Sequence, residues 1–278
     1  MLKFYSLNLE QKMKATLYQV DAFTDRVFEG NPAAVVPLTT WPTDAVMQAI
    51  AAENNLAETA FFVPEGEGYR LRWFTPAVEV PLCGHATLAS SHVIFTHLGH
   101  AAPEIHFETL SGRLTVKREG DLLAMDFPAD PAKPTTEPEG LARAIGAKPV
   151  LVMRGKMLMA LFSSPAEVAA LDPDMALLKR LQFSLGGMAL ICTAAGDEGS
   201  GFDFVSRMFA PAKGIDEDPV TGGAHCLLVP YWAKKLGKTE LVARQISKRG
   251  GTLWCTDAGA RVVMRGRCVD YLKGEISV

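Results

Sequence analysis

The chain writes one turn twice. Residues 72–77 read "RWFTPA" and residues 207–212 read "RMFAPA", 135 positions apart, while "PLCGHA" at 81–86 is answered by "PVTGGA" at 219–224, 138 positions apart. A three-residue insertion within "KGIDED" reconciles the two offsets. Each copy runs on into small and apolar residues, "TLASSHVIF" after the first and "HCLLVPYWA" after the second. Two matches in one order at nearly one spacing predict an internal duplication, with each half of the 278-residue chain a domain. The expected halves are 1–128 and 129–278, with 1–14 as an extension and "PADPAKPTTEPEG" at 128–140, with its four prolines, as the linker.

Within each half, short β-branched and aromatic runs alternate with Gly, Pro or Asp breaks, which is the pattern of strands. "LYQVDAF", "AAVVPL", "ETAFFV", "YRLRWF" and "RLTVK" fill the first half. "PVLVMRG", "LMALFS", "MALICTA", "FDFVSRMF", "RVVMRG" and "CVDYLK" fill the second. Helical signals are fewer: residues 43–55, the run after Gly84, 139–146, 175–182 and the run after Gly222. That ratio predicts an α+β protein of two pseudo-symmetric domains, each a curved, mostly antiparallel sheet rolled around a central helix.

The two helices that follow the repeated turns are apolar nearly all round, which predicts burial. A buried helix presents unpaired N–H groups and the positive end of its dipole at its start, a ready anion site. Two such starts facing one cleft would hold a small carboxylated substrate.

Three residues could carry proton-transfer chemistry, two of them beside these turns. Glu58, in "NNLAETAFF", is either a solvent-facing strand-end glutamate or a desolvated carboxylate suited to proton transfer. His85 opens the first repeated helix as a structural cap or as a neutral acid/base group. Asp218, in "EDPVTGG", either satisfies backbone N–H groups or faces the substrate. Cys83 is a small buried thiol, or an activated one at a helix start, and its counterpart in the second copy is Thr221. His225, a turn inside the second helix, reads as a packed core residue.

Several classes are disfavoured. The glycine pairs at 186–187, 222–223 and 250–251 fit neither GxGxxG nor GxxxxGKS, and no HExxH occurs, so no cofactor and no metal are expected. His92, His97, His100 and His106 read as incidental. A net charge of −3 without a basic stripe argues against nucleic acid, and no apolar run approaches a membrane span. Five widely spaced cysteines without CxxC point to reduced thiols in the cytoplasm.

"YQVDAFTDRVFEGNPAAVV" (18–36), "NNLAETAFF" (54–62), "LRWFTPAVEVPLCGHATLASSHVIF" (71–95), "EDPVTGGAHCLLVPYWA" (217–233) and "SKRGGTLWC" (247–255) together resemble the PhzF family of phenazine-biosynthesis-like proteins. These are similar in fold to diaminopimelate epimerase. The resemblance implies two such α+β domains, an active site in the cleft between them, a last segment crossing back to complete a sheet, and a homodimer. It implies a cofactor-free isomerase in which Glu58 moves a proton on a dihydro-hydroxyanthranilate-like substrate, while His85 and Asp218 orient it. Cys83, Gly84, Thr221, Gly222 and Gly223 would line the substrate. Gly223 departs from the commoner "TGSAH", and Cys83 leaves room for an amino-acid racemase or epimerase. A binding protein that kept the fold without the chemistry is the third reading.

Overall fold

A computed structural model describes residues 13–278; of the extension expected at 1–14, residues 1–12 lie outside the described residues, and Lys14 opens the first strand. The chain divides into two compact units. The first holds the described residues up to Ala22, Pro32–Lys117 and Cys268–Val278; the second holds Phe23–Asn31 and Arg118–Arg267.

In the first unit, β1 (Lys14–Ala22), β2 (Asn31–Pro37), β3 (Glu58–Glu65), β4 (Gly68–Phe74), the short β5 (Glu79–Val80), β6 (Glu104–Thr109) and β7 (Gly112–Glu119) join the last strand of the chain, β18 (Cys268–Ser277). Strand β18 runs antiparallel along β1, which also pairs with β2. From there β2 and β3 are parallel, β3 and β4 antiparallel, β4 and β6 parallel, and β6 and β7 antiparallel. Helix α1 (Asp44–Asn54) covers β3 and β4, capped by the Thr43 hydroxyl on the Val46 N–H. Helix α2 (Gly84–His97) packs against β1, β3 and β18 and is buried from His85 to Ser91 and again at Val93–Phe95. Its buried Thr87, Ser90 and Ser91 hydroxyls donate to the carbonyls of Cys83, Ala86 and Thr87 at 2.6, 2.7 and 2.8 Å. Polar residues therefore sit in the core with their hydrogen bonds made within the helix.

The second unit repeats this order. It contains β8 (Leu122–Pro128), β9 (Lys133–Pro134), β10 (Leu151–Arg154), β11 (Leu158–Leu161), β12 (Leu190–Ala195), β13 (Phe204–Ala210), β14 (Ile215–Asp218), β15 (Glu240–Gln245), β16 (Gly251–Asp257) and β17 (Arg261–Gly266). Strands β11 and β12 are parallel, β12 and β13 antiparallel, β13 and β15 parallel, and β15 and β16 antiparallel, so they reproduce β2, β3, β4, β6 and β7 in turn. Helices α3 (Leu141–Ile145), α4 (Pro165–Ala169) and α5 (Met175–Ser184) pack on a core that includes Ile145, Val168, Leu178, Leu190 and Phe209. Helix α6 (Gly222–Leu236) lies against β15, β16 and β17, as α2 lies in the first unit.

Side chains preserve the duplication as well. Arg72 grips Glu79 with two hydrogen bonds of 2.7 and 2.8 Å, and its counterpart Arg207 grips Glu217 at 2.7 and 2.9 Å. The two guanidinium groups lie 5.1 and 4.9 Å from the rings of Phe74 and Phe209, two residues further on in each copy. Gln48 of α1 donates to the Thr75 carbonyl at 2.8 Å, and Gln182 of α5 to the Phe209 carbonyl at the same distance. The repeated "PA" of the second copy begins a short 3-10 turn, Pro211–Lys213, closed by Gly214 at φ 85°, and the insertion falls in the residues after it.

Compact units and sequence halves differ. Strand β8, which ends the first half, pairs over 123–128 with β17 in the second unit, and β18, which ends the second half, pairs with β1 in the first. The segment expected as an inter-domain linker is anchored within the second unit. There Asp130 donates its N–H to the Cys226 carbonyl at 2.9 Å and accepts from the Lys156 N–H at 2.8 Å. No helix among the described residues is long and apolar enough to cross a membrane.

Candidate active site

In the first unit the turn before α2 brings three expected residues together. Glu58 is the first residue of β3, and His85 the second of α2. The His85 Nε2 lies 3.3 Å from the Glu58 Oε2, with the side chains 7% and 13% exposed. The contact is short enough for an ion pair, yet burial drives the imidazole down to about 4, opposed by a backbone hydrogen bond with Pro32. His85 is therefore neutral at pH 7, so the 3.3 Å approach is not an ion pair, and its buried Nε2 makes no hydrogen bond among the described residues. On the other side of the ring, the Cys83 Sγ stands 3.5 Å from Nδ1. Cys83 is the N-cap of α2 in extended conformation and makes no side-chain capping bond, so the helix start is left open. Gly84 follows it, and a Cβ there would meet nothing within 4 Å. Glu58, Cys83 and His85 offer ligand atoms within 4.8 Å of one another, close enough to hold a cation.

In the second unit the equivalent turn builds a different site. The Asp218 carboxylate accepts from Asn31 Nδ2 at 2.8 Å and from the Thr221 hydroxyl at 2.5 Å. Burial raises its pKa from 3.8 to about 6, although both hydrogen bonds pull the other way. Gln245 completes the frame by accepting the Thr221 N–H at 2.9 Å and donating to the Asp218 carbonyl at 2.7 Å. Thr221, the N-cap of α6, thus spends its hydroxyl on Asp218 rather than on the helix. Among the described residues nothing accepts the N–H groups of Gly222 and Gly223. A Cβ on Gly222 would meet nothing within 4 Å, and one on Gly223 only the Met157 methyl at 3.6 Å, so neighbouring protein does not demand glycine at either place. Gly251 is different: a Cβ there would overlap Val220, so the close approach of β16 fixes the loop that carries Asp218. His225 packs in the core as expected, its Nδ1 2.8 Å from the Thr221 carbonyl.

The profile of the phenazine biosynthesis-like protein family, PhzC-PhzF, matches residues 20–274. The chain belongs to the PhzF family. A Pseudomonas aeruginosa protein described as an uncharacterized isomerase is 50% identical over 264 residues, covering 95% of this chain and 99% of its own length. A PhzF-family structure from Enterococcus faecalis superposes with a TM-score of 0.92 at 44% identity, covering 96% of this chain and all of that one. A predicted epimerase of P. aeruginosa shares the fold at 21% identity, with a TM-score of 0.72 over 94% of this chain and 99% of its own.

Within this PhzF fold the expected residues fall into two groups, Glu58, Cys83, Gly84 and His85 in one unit and Asp218, Thr221, Gly222 and Gly223 in the other. Asn31, within the "EGNPAAVV" stretch, and Gln245 frame Asp218, and neither was singled out as a site residue. Asn31 stands before a proline and Gln245 ends a strand, and neither spacing relates them to residue 218.

Proposed function

We propose that this PhzF-family chain is a cofactor-independent isomerase that moves a proton on a small carboxylated substrate, with Glu58 as the general acid/base. The observation that carries this reading is a largely buried carboxylate held 3.3 Å from a neutral imidazole at an uncapped helix start. The Glu58 carboxylate would take a proton from a carbon next to a conjugated carboxyl or carbonyl group. The electron pair left behind spreads into that group, and the protonated Glu58 returns the proton to a second carbon. His85, buried beside Glu58, would help to orient the substrate. The open N–H groups at the starts of α2 and α6 suit negative charge on the substrate. Asp218, whose pKa near 6 allows it to be protonated or ionised around neutrality, would bind and orient the substrate.

The Cys83–His85 contact of 3.5 Å supports a second reading, an amino-acid racemase or epimerase that uses the thiol. The residue equivalent to Cys83, Thr221, is a hydroxyl already committed to Asp218, which leaves a two-thiol mechanism without its second member.

The test is turnover of dihydro-hydroxyanthranilate and a panel of amino acids and other carboxylates by wild type, Glu58→Gln and Cys83→Ala. The isomerase reading expects Glu58→Gln to lose roughly 10²–10⁴-fold in rate, and Cys83→Ala to stay within about tenfold of wild type. Amino-acid turnover that Cys83→Ala abolishes would support the racemase instead. Binding without turnover, retained in Glu58→Gln, would favour a non-catalytic binding protein.

A further inference from the structure

Two of the four histidines that read as incidental in the sequence converge at the far end of α2. His97, the last residue of that helix, places Nε2 2.8 Å from Asp270 Oδ2, and His92 places Nε2 3.2 Å from Asp270 Oδ1. The three ligand-type atoms lie within 4.8 Å of one another. Five positions separate the histidines and Asp270 follows 173 residues after His97, so no local motif announces the cluster.

The surroundings orient these groups. Asp270 sits at an irregularity of the β1–β18 ladder, where Gln19 faces Leu272 but Val20 faces Asp270, leaving Tyr271 as the extra residue. A bulge of this kind re-aims the side chains beside it. The Tyr18 ring stacks on His97 with centroids 4.8 Å apart and planes at 28°, which holds the imidazole at its angle. The His92 and His97 rings stand nearly perpendicular, at 81°. All three side chains are partly exposed, at 18%, 21% and 38%, so an ion has access from solvent.

We propose that His92, His97 and Asp270 form a binding site for one divalent transition ion of the zinc class, with water completing the coordination. Two imidazole nitrogens and a carboxylate are a common ligand set for zinc. Ligand atoms about 2 Å from a tetrahedral ion lie roughly 3.4 Å from one another, and the contacts of 2.8 and 3.2 Å need only small side-chain adjustments to admit one. A bound ion would tie the end of α2 to β18, the strand that returns from the second half of the sequence. The site is separate from the Glu58–Cys83–His85 cluster, since twelve residues of helix between His85 and His97 rise by roughly 18 Å.

The experiment uses the untagged, metal-stripped full chain titrated with cobalt and with zinc. The proposal expects one cobalt ion per chain, with the visible bands of a nitrogen- and oxygen-ligated ion and no thiolate charge-transfer band. It also expects an unfolding temperature that climbs with zinc concentration. His92→Gln/His97→Gln should weaken cobalt binding at least tenfold, and Asp270→Asn should weaken it while keeping the shape of the site. Either of two results overturns the proposal: no saturable binding, or affinity unchanged in both variants. A thiolate-to-cobalt band lost in Cys83→Ser would do so too, by assigning the ion to the active-site cluster. If the double variant fails to fold, the wild-type cobalt spectrum still separates the two sites.

Discussion

Asp218 holds its proton more tightly than an ordinary carboxylate because the second unit buries it, and its pKa of about 6 against 3.8 has a measurable sign. A raised carboxyl contributes stability that is fully present below pH 3.8 and is lost as pH rises through 6. Asp218→Asn should therefore stabilise the fold by on the order of 3 kcal/mol at pH 8 and by nothing near pH 3.5. Urea unfolding at the two pH values reads this, and an equal effect at both would contradict it. His85 and His225 act in the opposite direction. Burial lowers each to about 4, so their contribution is complete above the unfolded value of 6.5 and is lost as pH falls through 4. His85 and Asp218 were legible as candidates because each sits beside a repeated turn, and Glu58 because a carboxylate opens an apolar strand run and the PhzF resemblance falls on it. Asn31 and Gln245 were not, because their roles depend on a meeting of strand ends far apart in sequence.

Helices α2 and α6 show how far an element can be read from its composition. Their apolar circumference announced burial, and the small residues at their starts announced open ends. Pro230, inside α6, leaves the Cys226 carbonyl without its intrahelical donor, and the Asp130 N–H fills that place at 2.9 Å. Pro230→Ala should accordingly change stability by less than about 1 kcal/mol, far short of the roughly 3 kcal/mol that proline costs a helix interior elsewhere. Denaturant unfolding of the two chains measures this; a gain near the full value would mean that the Asp130 bond contributes nothing. The same bond anchors the proline-rich stretch at 128–140 to α6, a backbone contact that composition cannot reveal. Strands β6, β8, β15 and β16 also escaped the pattern. "EIHFET" has only two apolar residues, Val242 outside and Gln245 inside blur the period of "ELVARQ", and β8 "LLAMDFP" is a short apolar run without a clear period.

Across the whole molecule the duplication appears in strand order, in the Arg72–Glu79 and Arg207–Glu217 pairs, and in the paired glutamines. What the repeat itself could not disclose is the exchange of final strands, since pairing partners are not written in the repeat, and the return of the last segment was expected only from the family resemblance. A chain ending at Arg267 would leave β1 without its antiparallel partner. Hydrogen exchange should then speed up in β1–β4 and stay slow in β11–β13, whereas unchanged protection of β1 would show that β18 is dispensable. Both repeated turns survive as open helix starts, yet their side chains have diverged, with Glu58 and His85 beside one and Asp218 and Thr221 beside the other. The central claim is that Glu58 transfers a proton between carbon atoms, and solvent deuterium tests it most directly. With wild-type protein in D2O, proton NMR of dihydro-hydroxyanthranilate should show an isomer carrying deuterium at the newly protonated carbon, and Glu58→Gln should show neither isomer nor label. Labelled isomer formed by Glu58→Gln at the wild-type rate would contradict the account.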